Sequence, residues 1–175
     1  QPKDYDITTN ALPEQSLECF KNLRTIQNGI KHGTVGVLID GECIEVTTFR
    51  IDGLYSDGRH PDSVTFSSQL KDDLSRRDFT VNAMAYDTQN GVIDCFGGIR
   101  DLKNKIIRCV GEPDKRFNED ALRIMRALRF SSVLGFEIER TTARSIHKNA
   151  LLLNAISKER ILAELTKLLT GENAE

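Results

Sequence analysis

The chain changes its hydrophobic period about two-thirds of the way along. Up to roughly residue 110 the apolar positions fall in short β-rich runs separated by Gly and Asp. Gly33 to Asp40 and Cys43 to Arg50 are two such runs around Asp40-Gly41, the pattern of a hairpin. Residues 12–28 read as a helix with Pro13 at an early position, where a missing N–H costs nothing. Asp52 to Pro61 is dense in turn formers and reads as a mobile loop within residues 52–65. A helix is expected from Leu70 to Ala85 and a short strand from Val92 to Phe96. Gly97-Gly98 should then break the chain before a turn of helix at Ile99–Leu102. After Pro113 the period becomes helical. Leu122, Met125 and Leu128 recur at i, i+3, i+6, while Arg116, Asp120 and Arg123 share a second stripe. Thr141–Lys148 and Ser157–Leu169 complete a helical extension, and no internal repeat is visible. The expected organisation is a β-rich head over residues 1–110 and an all-α neck over 111–175.

Composition narrows the class. Of 175 residues 39% are apolar and 29% charged, which suits a soluble globular chain with a real core. No apolar run approaches the ~20 residues that span a bilayer. Four dispersed cysteines without a CxxC pair argue against a zinc site or a disulfide framework and fit reduced thiols in a cytoplasm. Three scattered histidines make a His-ligated metal a poor expectation. The net charge of −2 hides an asymmetry: residues 1–99 carry 9 basic and 15 acidic residues, and residues 100–175 carry 15 and 11. An acidic half followed by a basic half suits a metal site joined to a phosphate-meeting surface, or simply two differently solvated faces.

Three segments carry candidate chemistry. In Asp4-Tyr5-Asp6, residues i and i+2 of a strand share a face, so two carboxylates would converge, and a hard cation such as Mg²⁺ relieves their repulsion. Surface charge alone would also produce this pair. Glu45, between Ile44 and Val46, could be a third ligand or a base, or could face solvent. Arg77, Asp78 and Asn82 offer cationic, acceptor and amide groups suited to a ribose and a triphosphate; a capped, salt-bridged helix uses the same residues. Asp120 and Arg123, one helical turn apart, offer an acceptor beside a fork of donors. A base edge meeting both needs an amino group next to a ring-nitrogen acceptor, as cytosine and adenine have. Guanine and uracil present the reverse pattern, leaving polar groups unpaired at roughly 1–3 kcal/mol each. A surface ion pair is the alternative use of that spacing.

Taken together, the segments resemble class II tRNA nucleotidyltransferases, the CCA-adding enzymes and their bacterial poly(A) polymerase relatives. The matching stretches are Pro2–Pro13, His32–Val35, Glu45–Arg50, Arg76–Thr80, Glu119–Phe136 and Ile156–Ile161, nearly the whole chain in order. The resemblance implies an α+β fold, a polymerase-β-like palm of mixed or antiparallel sheet with helices, followed by a helical neck. It implies Asp4 and Asp6 as Mg²⁺ ligands with Glu45 as a third catalytic carboxylate. It makes Arg77, Asp78 and Asn82 ribose and phosphate contacts, Asp120 with Arg123 the selector of the incoming base, and Arg126 and Arg129 phosphate contacts or neck supports. The expected reaction is attack of a tRNA 3′-hydroxyl on CTP or ATP with release of pyrophosphate, with no membrane partner. Poly(A) polymerase and a catalytically incomplete nucleotide- or RNA-binding fragment are the alternatives. The family's Gly-Gly-x-Val-Arg-Asp segment precedes the diaspartate and has no counterpart here, so weak or no catalysis is expected of these residues by themselves. Gln1-Pro2-Lys3-Asp4 also reads as the continuation of a longer chain.

Overall fold

The computed structural model describes residues 5–56, 58 and 60–174. Its contacts fall into two compact units. One runs up to Gly53 and resumes over Pro61–Arg76; the other takes Leu54–His60 and everything after Arg77.

The first unit contains β1 (Asp6–Thr9), α1 (Pro13–Cys19), β2 (Arg24–Ile26), β3 (Thr34–Ile39), β4 (Glu42–Thr48), β5 (Arg50–Asp52), β6 (Val64–Phe66) and α2 (Leu70–Ser75). The first four strands form one sheet in the order β1-β4-β3-β2, with β1 parallel to β4 and the other pairs antiparallel. Asp40 and Gly41 join β3 to β4 with φ of 51° and 87°, the positive values that a tight hairpin turn demands at both central residues. Val35, Val37 and Val46 point to one face and are covered by Leu17 of α1 and by Phe20. Fully burying each such side chain contributes about 1.5–3 kcal/mol.

The helix expected over residues 12–28 ends at Cys19 instead, and Arg24–Ile26 adds an edge strand to β3. β-branched Thr25 and Ile26 gain a pleated partner there, which a longer helix would deny them. The expected loop at 52–65 is likewise shorter than its turn formers suggested. Residues 50–52 and 64–66 pair as a ribbon, and Gly53 N–H donates to Ser63 O at 2.8 Å. Asp57 and Arg59 of that loop lie outside the described residues.

The second unit contains β7 (Met84–Asp87), β8 (Gly91–Asp94), α3 (Gly98–Lys103), β9 (Ile106–Ile107), α4 (Pro113–Glu119), α5 (Leu122–Leu134), β10 (Glu137–Ile138), α6 (Arg140–Asn149) and α7 (Lys158–Leu169). The helix expected from Leu70 to Ala85 stops at Ser75. Thr80–Asn82 form a single 3₁₀ turn and Met84 opens a strand. Asp78 explains the stop, because its Oδ1 accepts from its neighbour Phe79 N–H at 2.8 Å and from Asn82 Nδ2 at 3.1 Å. Such local side-chain bonds compete with the helical ladder.

Phe79 then enters the core with Ile107, Phe117, Ile124 and Ala127, and meets Phe130 edge-on at 5.8 Å. Of the expected apolar stripe, Leu122 and Met125 are buried but Leu128 is exposed; Ile124 and Ala127 hold the inner face instead. α3 starts where expected because Asp94 accepts four backbone N–H bonds, from Phe96, Gly97, Gly98 and Ile99. Gly98 is required there: a Cβ would sit 2.3 Å from Thr80 O.

Candidate functional site

In the first unit, the sheet face opposite α1 carries the candidate metal ligands. The parallel register sets Asp6 directly beside Glu45, with Thr8 beside Thr47 in the next row. Directly paired residues of a sheet project to the same face, so the two carboxylates are neighbours, and both residues are exposed. Two adjacent ionised carboxylates with no cationic side chain between them are a hard oxygen donor set, the chemistry that fits a divalent cation. Asp4, the other half of the expected diaspartate, lies outside the described residues. Among the described residues no group of three His, Cys, Asp or Glu side chains is arranged to hold a metal.

In the second unit, Asp78 is the hub of the second motif. Its Oδ1 holds Phe79 N–H and Asn82, and its Oδ2 accepts from Arg126 Nε at 2.8 Å and lies 2.7 Å from Arg126 Nη2. The structure thus brings Asp78, Asn82 and Arg126 together from two distant stretches. Asp78 is buried and Asn82 and Arg126 only partly so, which leaves the amide and the guanidinium as the accessible polar groups. Arg77, immediately before them, is half-buried. Arg129 lies one turn along α5. Its guanidinium stacks 4.3 Å over Phe130 and its Nε meets the buried Glu164 of α7 at 3.0 Å. That contact ties α5 to α7.

The pair expected to select a base does not lie on one continuous helix. Asp120 is extended, with φ −148°, and separates α4 from α5. Its Oδ1 accepts from Leu122 N–H at 3.0 Å, which opens α5 as a helix cap would. Its Oδ2 accepts from Arg160 Nη2 at 3.0 Å. Arg123 still lies beside it, because Arg123 N–H donates to Asp120 O at 3.0 Å. Arg123 Nη1 is fixed by Glu119 Oε2 at 2.7 Å and by Arg116 O at 3.1 Å. Burial works against the charged form of Arg116 and lowers its pKa, and the Glu119 carboxylate opposes that shift.

Two positioning residues were therefore absent from the sequence expectations. Glu119 holds Arg123 and Arg116, and the i, i+4 spacing of Glu119 and Arg123 was the visible signal. Arg160 reaches Asp120 across forty positions, and nothing local announces that pairing.

Comparison with known proteins agrees with this geometry. Residues 1–108 match the family model described as "Poly A polymerase head domain", and residues 135–175 match "Probable RNA and SrmB- binding site of polymerase A". The CCA-adding enzyme of Lactobacillus helveticus is 52% identical over 171 residues, 98% of this chain and 42% of the relative. That of Pediococcus pentosaceus is 53% identical over 168 residues, 96% of this chain and 42% of the relative. Among solved structures, the Bacillus stearothermophilus CCA-adding enzyme in complex with CTP superposes with a TM-score of 0.87 at 49% identity, covering 99% of this chain and 41% of that one. The Thermotoga maritima CCA-adding enzyme complexed with tRNA gives 0.78 at 30% identity, covering 99% and 40%. The chain spans about two-fifths of the length of the curated relatives it matches. No helix among the described residues is long and apolar enough to cross a membrane.

Proposed function

Because the chain belongs to the poly A polymerase head domain family, we propose that it forms the head (1–110) and neck (111–175) of a CCA-adding tRNA nucleotidyltransferase. The fold is α+β, of the polymerase-β-like nucleotidyltransferase kind, with helices after the β-rich part. The observation that carries the reading is the 50–53% identity to CCA-adding enzymes over 96–98% of the chain. That similarity spans both the carboxylate-bearing sheet and the Asp120–Arg160 turn.

In the proposed reaction, the 3′-hydroxyl of tRNA attacks the α-phosphorus of CTP or ATP, and pyrophosphate leaves. Asp4, Asp6 and Glu45 would hold Mg²⁺, which when bound supplies charge neutralisation at the triphosphate and a more acidic attacking hydroxyl. Asn82, Arg77 and Arg126 orient ribose and phosphates, with Asp78 holding Asn82 and Arg126 in place. Asp120 accepts from the exocyclic amino group of C or A, and Arg123 donates to the neighbouring ring nitrogen. Glu119 and Arg160 fix the two so that neither swings to the reversed edge of G or U. Arg129 supports the neck through Glu164. A cytoplasmic location belongs to the same proposal, and the four free cysteines support it.

The test is product length. The full-length protein, incubated with tRNA ending before its CCA and with labelled CTP and ATP, should add three nucleotides and stop. A long A tail would move the assignment to poly(A) polymerase, the activity named by the family description. No incorporation in the presence of a divalent cation would sink both.

A further inference from the structure

Helix α6 turns a face to solvent that no earlier step has used. Between Glu139 and Glu159 the sequence contains no acidic residue, but it contains Arg140, Arg144, Lys148 and Lys158 with His147. Arg140, Arg144 and Lys148 follow at i, i+4 and i+8, so they lie along one side of α6, about 6 Å apart along its axis. All three are exposed. Lys148 is partly answered by Asp114, with which it forms an ion pair. Asp114 is also held by hydrogen bonds from Ser145 and Asn149, which with Lys148 lower its pKa to about 2. Arg140 and Arg144 have no carboxylate partner among the described residues. Like charges one helical turn apart repel, so this arrangement weakens α6 in isolation and is relieved by an external anion.

We propose that the outer face of α6 binds the sugar-phosphate backbone of the RNA substrate through Arg140 and Arg144, flanked by Lys148. The inference rests on the reading of the chain as part of a tRNA nucleotidyltransferase and adds where the acceptor's phosphates are held. The composition of the face favours RNA over a protein partner. Its exposed positions are Arg140, Thr141, Arg144, His147 and Lys148, without the aliphatic or large aromatic anchors that dominate protein interfaces. A shallow groove of about 180 Å³ runs beside Thr141, Arg144, Ser145 and Lys148. Glu112 and Asp114 also line that groove, so the phosphates belong on the outer face of the two arginines and not in it.

The contacts are electrostatic and independent of base sequence, which makes salt dependence their signature. In the full-length protein, Arg140→Gln/Arg144→Gln should weaken binding of tRNA lacking its CCA roughly tenfold. It should also lower the slope of log Kd against log salt by about 1.5, measured by fluorescence anisotropy between roughly 50 and 200 mM salt. CTP affinity, and turnover at saturating tRNA, should stay at the wild-type level. A charge-matched control, Lys21→Gln/Lys71→Gln, should leave the slope unchanged. Equal slopes for wild type and the arginine variant overturn this surface while leaving the enzymatic reading intact. An equal loss in the control reduces the effect to net charge and overturns it too. A wild type that binds tRNA but adds no nucleotide counts against the proposed reaction alone, since the binding comparison still reads the face.

Discussion

Asp120 is held by Arg160, and that contact limits which hydrogen-bonding pattern the carboxylate can present to a base. The carboxylate has one oxygen on the backbone of α5 and the other on the guanidinium, so its orientation is fixed before a nucleotide arrives. Preorganisation of this kind matters more for choosing between bases than for binding them. Arg160→Gln retains a donor but loses the charge and the fork. On the proposed function, it should lower the ratio of kcat/KM for CTP over UTP by about tenfold, equivalent to about 1.4 kcal/mol. Arg160→Lys should be intermediate, because a point charge replaces a bidentate fork. An unchanged ratio in Arg160→Gln would show that Arg160 only braces α7. The candidate pair itself was legible in the sequence, since Asp120 and Arg123 are adjacent as expected. Their route to adjacency was not, because the spacing suggested one continuous stripe from Arg116 to Arg123, and an extended residue at Asp120 interrupts it. Nothing in local propensity encodes an ion pair forty residues away.

At the scale of elements, caps decided where the expected pattern held. α6 and α7 appear within a residue or two of their expected ends, each opened by a side chain that accepts a backbone N–H, Glu139 for α6 and Ser157 for α7. α1 and the segment after Ser75 were overextended, because edge pairing with β3 and the Asp78 bonds are tertiary or turn effects that a period of 3.6 does not register. Glu139 gives this a measurable form. Partial burial opposes its ionisation, but bonds from Thr141 and Thr142 outweigh that and lower its pKa. A lowered folded-state pKa means stability that is present above the ordinary glutamate range and is lost as pH falls through the lowered value. Glu139→Gln should therefore destabilise the protein at neutral pH, by about 1 kcal/mol in urea unfolding, typical of a lost cap. The gap from wild type should close as the solution is acidified below pH about 4. A gap independent of pH would assign the loss to packing instead of charge.

At the scale of the molecule, the two proposed tasks are supported by separate sets of contacts. Asp6 and Glu45 sit side by side through strand register in the first unit, whereas Asp120, Arg123, Glu119 and Arg160 form one network in the second. Groups that share no partner usually contribute additively. Asp6→Asn removes a metal-ligand charge and should reduce nucleotide incorporation by roughly 10³-fold, the several kcal/mol expected of a lost metal contribution. The preference for binding CTP over UTP should survive that change. Asp120→Asn adds a donor where cytosine also donates, so it should cut that preference about tenfold to a hundredfold, from one or two unpaired polar groups at roughly 1–3 kcal/mol each. Bound nucleotide should still respond to added divalent cation in that variant. The double variant should combine the full loss of turnover with the full loss of preference, each read from its own measurement. If Asp6→Asn alone erased the preference, the base would be chosen by the bound metal-triphosphate geometry and not by Asp120 and Arg123. A coupling above about 1 kcal/mol between the two substitutions would tie selection to catalysis, contrary to two networks that share no residue.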